Sequence, residues 1–396
     1  MKKIVFFDSR YNLVYGAKKS MIKLAQNLDK NKYTSIMLTT SKGDFSNYSQ
    51  EAGLDCDIIE ASNSLKTFDR KILNYNFFKK ILLIKDLLKY NFKIGVWLKN
   101  KKIDLMYVNN ARSFFYVFIA CFILRVPIVA YKRCTTPKNI KGVYDLMEKI
   151  LLYFIDKYFC IAEGVRRDIS KNLRQKHGEK IKVLYTGYDF DNFIYSNSEN
   201  ENKLYEKLNI TQEDIVIGLV GTVNPRKGHH VAIEALSIIK EKLKQKTKLM
   251  FVGGGHDNEY FDELNNLAQK HGVERNLIWT GYVENVADYY DLMDILILPS
   301  YSEGLPRTII EGLANGIPVV ASDVGGINEI LVSKEYGKVV KKGSSEELAA
   351  GIIETVKNNE IDIENNKKDI RSKFVMEKFS LEKYVNKFQR EIGELF

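Results

Sequence analysis

The stretch "SEGLPRTIIEG", Ser302 to Gly312, carries two glutamates, Glu303 and Glu311, eight positions apart. It follows "ILILPS", a continuous apolar run that predicts a strand buried on both faces. Pro306 suits the first turn of a helix, where a missing N–H costs nothing. Gly316 suits the end of the same helix, after "RTIIEGLAN". A strand, a tight loop and a helix therefore follow one another. In a parallel sheet such a turn lies at the carboxyl end of the strand, where doubly wound sheets bind ligands. The backbone N–H groups of Arg307, Thr308 and Ile309 fall in the first helical turn, which attracts anions. Glu303 is on the loop before them, and Glu311 is inside the helix. An anion site flanked by two carboxylates suits a ligand that carries both phosphates and hydroxyls, such as a sugar nucleotide. The plain alternative is a pair of glutamates on a solvated face.

The same strand–helix alternation runs along all 396 residues. Strands are predicted at "KIVFFD", "YTSIMLTT", "DLMYVNN", "PIVAYK", "KYFCIA" and "KVLYTG" in the first half. The second half has "IVIGLVG", "KLMFVGGG", "LIWTGY", "ILILPS", "PVVASD" and "GKVV". β-branched runs separated by helical stretches predict an α/β chain with two doubly wound, Rossmann-like domains. Periodicity is lost in "DFDNFIYSNSENEN", which places a linker near Tyr188 to Ser198. The expected domains are residues 1–193 and 194–379. Apolar residues at helical spacing in "SKFVMEKFSLEKYVNKFQREIGELF" (Phe379, Leu381, Tyr384, Val385, Phe388, Ile392) predict one or two amphipathic helices. Residues from about 380 to 396 are expected to return to the first domain.

Composition narrows the function classes. The apolar share of 45% is that of a soluble globular protein. The apolar run Ile4 to Phe7 is too short for a signal peptide. Phe114 to Leu124 is too short to span a bilayer. A cytoplasmic location follows as the expectation. Cys56, Cys121, Cys134 and Cys160 show no CxxC spacing, so a metal or disulfide role is not indicated. The net charge of +10 is unevenly spread. Residues 1–195 carry 35 basic and 18 acidic side chains, and residues 196–396 carry 25 and 32. The first half is thus the one suited to an anionic partner. Residues 66–102 concentrate this charge, with 11 Lys or Arg and 2 Asp among Phe, Tyr, Leu, Ile and Trp97. That mixture predicts docking on an anionic membrane surface; the plain alternative is a core helix with a Lys-rich solvent face. No nucleic-acid-binding motif is present, so nucleic acid is not an expected partner.

Two further motifs bear on chemistry. In "GLVGTVNPRKGHH", Gly218 to His230, a strand ends at Val220 and a loop carries Arg226 and Lys227 to a helix capped at Gly228. Two cations at a βα turn can neutralise a diphosphate leaving group, or can be no more than an exposed basic turn. In "YGAKKSMIKLAQNL", Gly16 opens a helix where a ligand could approach the backbone, or serves as a plain turn glycine. No GxGxxG is present, so a dinucleotide fingerprint is absent.

Taken together, these motifs resemble those of the family 4 retaining glycosyltransferases, whose fold is GT-B. "EGLPRTIIEG" looks like the family's Glu-x7-Glu signature, and "GTVNPRKG" looks like its phosphate-binding loop. The runs before and after the signature extend the likeness over nearly all of residues 215–332. The first domain resembles the family in outline, through Gly16, "IAEGVRRDI" and "VLYTGYD". The resemblance implies two Rossmann-like domains facing a cleft, with a C-terminal helix returning to the first. It implies that Arg226 and Lys227 bind the donor diphosphate and that Glu311 holds the ribose hydroxyls. Glu303 would contact the donor sugar, with the backbone of Gly304, Leu305, Pro306, Arg307, Thr308 and Ile309 around sugar and phosphate. Gly281 and Tyr282 would border the base, and Gly16 would approach the diphosphate.

Two positions depart from the family pattern. Thr222 stands where many relatives have arginine, and Lys132 and Arg133 stand where many have histidine. Arg133 is the acceptor-side candidate. "DFD" at Asp189 to Asp191 matches a metal-binding Asp-x-Asp but falls in the linker, where it reads as a solvated turn. Five histidines give little support for a metal centre. The expected activity is metal-independent, retaining transfer of a sugar from a nucleotide donor, expected to be UDP-linked, with no cofactor. The acceptor would be a glycan or lipid-linked glycan in bacterial surface polysaccharide or glycoconjugate synthesis. The alternatives are a sugar-nucleotide epimerase or hydrolase of the same fold, or a non-catalytic partner subunit.

Overall fold

The structure is a computed structural model that describes residues 1–12, 14, 16–66, 76–136, 141–190, 198–243, 246–255, 258–364 and 367–396. The chain divides into two compact units, Met1–Gly187 with Leu381–Phe396, and Tyr188–Ser380. The domain boundary expected at 193/194 lies outside the described residues, as do residues 67–75 of the basic segment and Asp191 of the Asp-x-Asp.

Among the described residues the first unit holds seven strands: β1 (Lys2–Asp8), β2 (Tyr33–Thr39), β3 (Asp55–Ile58), β4 (Leu105–Val108), β5 (Ile128–Lys132), β6 (Lys157–Cys160) and β7 (Ile181–Val183). Their order is β3-β2-β1-β4-β5-β6-β7, and every pairing is parallel. The second unit holds β8 (Ile215–Val220), β9 (Thr247–Val252), β10 (Leu277–Gly281), β11 (Ile295–Leu298), β12 (Val319–Ser322) and β13 (Gly337–Val340). Their order is β10-β9-β8-β11-β12-β13, again all parallel. Strand order reverses between β1 and β4 in the first sheet and between β8 and β11 in the second. These switch points open a crevice at the carboxyl ends of the strands.

The central strands are buried on both faces because helices cover both sides. Ile4 to Phe7 and Ile295 to Leu298 have essentially no exposure. Two C-terminal helices form, Lys367–Lys378 and Leu381–Gly393. The second belongs to the first unit. Its Phe388 packs on Phe6, Tyr107 and Phe159, with ring centroids 6.4, 5.9 and 5.7 Å away. Burying one such ring contributes about 2–3 kcal/mol. Where the chain enters and leaves the second unit, Tyr188 N–H donates to the Phe379 carbonyl at 2.9 Å.

The structure adds two elements that the sequence reading did not place. The sequence reading has no strand at Asp55–Ile58, yet β3 forms there as a sheet edge, half exposed and with two aspartates. After the expected linker a helix forms, Ser198–Leu208. Its polar composition conceals a helical pattern.

Candidate functional site

The switch point of the second sheet brings the loop after β8 beside the loop after β11. The β8 loop makes a short 3-10 turn, Pro225–Lys227, and then Gly228 caps the helix His229–Lys242. Gly228 has φ +74°, and a Cβ there would lie 2.1 Å from the Pro299 carbonyl oxygen. Only glycine lets the two loops approach this closely. They are tied by a hydrogen bond from Tyr301 N–H to the Arg226 carbonyl at 2.8 Å.

This approach assembles a charged cluster. Lys227 Nζ donates to Glu303 Oε1 at 2.9 Å. Arg226 Nη1 donates to the same oxygen at 3.4 Å and to the Ser302 carbonyl at 2.7 Å. The plain reading of Glu303 and Glu311 as solvated side chains fails: they are 8% and 7% exposed. Two cations share one carboxylate, so the cluster holds one positive charge in excess. The Lys227 side chain is largely enclosed and that of Arg226 half exposed. Solvent therefore screens Arg226 more than Lys227.

The helix that follows spans Arg307–Ala314, with Pro306 at its N-cap rather than in its first turn. Glu311 is held from two sides. Arg307 Nε donates to Oε1 at 3.2 Å, and the Tyr290 hydroxyl donates to Oε2 at 2.9 Å. Burial, and then the Glu311 charge, push the Tyr290 phenol far above its ordinary range, so it stays a donor. The loop of Gly304 is closed from behind by Gly326, whose N–H donates to the Gly304 carbonyl at 2.7 Å. Gly325, at φ +59°, stands where a Cβ would lie 2.3 Å from the Glu303 carbonyl oxygen.

Gly281 and Tyr282 stand at the end of β10, on the same edge of the sheet. Gly253 N–H donates to the Gly281 carbonyl at 3.0 Å, and the Tyr282 side chain is 81% exposed. In the first unit Gly16 opens the helix Gly16–Gln26. At its switch point Asp8, ending β1, accepts from Asn109 Nδ2 at 2.8 Å, and Asn109 Oδ1 accepts from Arg133 Nε at 3.0 Å. Arg133 also donates to the Tyr107 hydroxyl at 2.9 Å and lies over the Tyr131 ring. Lys132 is instead buried, paired with Glu148 and with Asp168.

The site thus unites Arg226, Lys227 and Glu303, and sets Glu311 in a separate buried network. Sequence reasoning missed Tyr290, the Ser302 carbonyl and Gly325. The double glycine of "SDVGGIN" was a visible signal for the last; the other two had none.

Two family models match the chain: "Glycosyltransferase Family 4" over residues 14–192 and "Glycosyl transferases group 1" over residues 200–372. The chain belongs to the family 4 glycosyltransferases. The capsular polysaccharide biosynthesis glycosyltransferase CapM of Staphylococcus aureus is 26% identical to this glycosyltransferase, over 86% of this chain and 92% of CapM. An Escherichia coli UDP-Gal:alpha-D-GlcNAc-diphosphoundecaprenol alpha-1,3-galactosyltransferase is also 26% identical, over 65% and 67% of the two chains. Among solved structures, a glycosyltransferase from Rickettsia africae superposes with a TM-score of 0.81 at 19% identity, covering 100% of this chain and 98% of that one. Anabaena HepE in complex with UDP gives a TM-score of 0.77 at 19% identity, covering both chains fully. The fold of this glycosyltransferase is GT-B.

Proposed function

We propose that this glycosyltransferase moves a sugar from a UDP-linked donor to a lipid-linked glycan, with retention of configuration and without a metal ion. The reading extends to surface polysaccharide synthesis at the cytoplasmic face of the membrane. The observation that carries it is the sharing of Glu303 by Lys227 and Arg226, beside a helix N-terminus at the sheet's switch point. A donor diphosphate would meet an excess positive charge already held in place by the fold, which is the part a divalent cation plays elsewhere. The names of two relatives support the donor and acceptor: HepE is seen with UDP, and the E. coli enzyme is named for UDP-Gal and an undecaprenol-linked acceptor.

In this reading Lys227 and Arg226 neutralise the departing diphosphate. Glu303 orients the donor sugar, and the backbone from Gly304 to Ile309 surrounds sugar and phosphate. Glu311 binds the ribose hydroxyls, and Gly281 and Tyr282 border the base. Arg133 is the acceptor-side candidate of the first unit. The bond from the sugar C1 to the phosphate oxygen breaks as the acceptor oxygen bonds to C1 on the same face. The acceptor proton passes to the leaving diphosphate oxygen, so no strong protein base is needed.

The test is incubation with a panel of nucleotide sugars and bacterial lipid extract, with and without EDTA, reading nucleoside diphosphate release. UDP release unchanged by EDTA is the expected result. Loss of release on chelation, restored by Mg²⁺ or Mn²⁺, would remove the leaving-group role from Arg226 and Lys227.

A further inference from the structure

The helix Phe77–Lys101 is apolar on two opposed sides. Leu83, Tyr90, Ile94 and Leu98 face the core. Ile81, Ile84, Leu88, Phe92 and Val96, three and four positions apart, form an exposed stripe on the other side. Phe78 and Phe92 are 80% and 75% exposed. Lys85, Lys89 and Lys93, all exposed, run in a row beside the stripe.

This helix does not present its stripe alone. Its Asn91 donates to the Phe115 carbonyl at 3.2 Å and accepts from Ile119 N–H at 3.1 Å, which fixes it against the helix Ala111–Leu124. That second helix ends in exposed Phe122 and Ile123, followed by exposed Arg125. The Phe154 ring, at the end of a third helix (Lys141–Phe154), meets Phe118 and Phe122 at 5.4 Å each. Three adjoining helices of one unit thus leave large apolar side chains in water, fringed by cations.

We propose that this three-helix face docks on an anionic lipid bilayer, with Phe78, Phe92 and Phe122 entering the boundary between headgroups and acyl chains. Contiguous exposed apolar surface marks an interaction site. A bilayer satisfies both halves of the pattern at once. The apolar stripe leaves water, while the lysine row beside it reaches the lipid phosphates through flexible stems. A second copy of the chain, docked face to face, would instead set lysine rows near one another. Binding therefore has an apolar part that survives salt as well as the charge-driven part expected from residues 66–102. The consequence that the enzyme meets its acceptor in the membrane rests on the transferase reading above; vesicle binding does not.

The test is flotation of the full chain with phosphatidylcholine vesicles, with and without phosphatidylglycerol, at low and high salt. Phe78→Ser/Phe92→Ser/Phe122→Ser and Lys85→Gln/Lys89→Gln/Lys93→Gln are compared with the parent, and thermal melting checks that each folds. The parent should float with anionic vesicles and keep a fraction bound at high salt. The phenylalanine variant should partition at least about tenfold less and lose the salt-resistant fraction. The lysine variant should lose roughly fivefold per lysine at low salt. No flotation on anionic vesicles at low salt would overturn the proposal, as would equal flotation of the parent and the phenylalanine variant. Self-association abolished by the phenylalanine substitutions, with vesicle binding intact, would assign the face to a second copy. Failure here with UDP release intact leaves the transferase reading standing.

Discussion

Lys227→Ala is expected to lower kcat at least about 100-fold, the scale on which an enclosed donor stabilises charge that develops in a transition state. The Lys227 side chain is 13% exposed and lies 2.9 Å from Glu303. Its charge acts in a poorly screened setting, where in the proposed reaction it would oppose the growing negative charge of a leaving diphosphate. Folding should survive, because Glu303 keeps Arg226 at 3.4 Å. Arg226→Ala should cost less, since that side chain is 51% exposed. The double variant should fall short of the product of the two, because both cations serve one group. Steady-state kinetics with thermal melting as a control decides this. A Lys227→Ala enzyme with near-normal turnover would take the residue out of the reaction.

The second large effect is expected at Glu311. Glu311→Ala should weaken UDP binding at least about tenfold, on the scale of a hydrogen bond to a charged group. It should also lower the melting temperature, because the Tyr290 hydroxyl loses its carboxylate acceptor at 2.9 Å inside the second unit. Glu311→Gln separates the two roles. The amide can still accept from Tyr290 and should recover most of the stability, while ribose binding recovers less. Calorimetric titration of UDP into both variants reads the difference. Normal UDP affinity in Glu311→Ala, with a lowered melting temperature, would make Glu311 a purely structural residue.

The parts legible in the sequence are those encoded locally. Twelve strands announce themselves as short apolar runs, while β3 does not, because a half-exposed edge such as "DCDI" needs few apolar side chains. The paired glutamates and the Arg226–Lys227 turn are visible as motifs. That Glu303 joins those two cations depends on which loops the sheet order makes neighbours, whereas Arg307 and Glu311 meet one turn apart on a single helix. β8 and β11 adjoin in space but are far apart in the chain. The same limit holds for the helix Phe77–Lys101. Its sequence puts apolar side chains on two opposed sides with lysines between them, and only packing against Ala111–Leu124 shows which apolar side stays in water.

The stereochemistry of the product tests the central claim most directly. A UDP-α-linked gluco- or galacto-configured donor is turned over in the presence of EDTA, and the anomeric proton of the product is read by NMR. The account predicts an α-linked product, shown by a small H1–H2 coupling, formed at the same rate with and without EDTA. A β-linked product, with its large coupling, would contradict same-face displacement driven by Arg226 and Lys227.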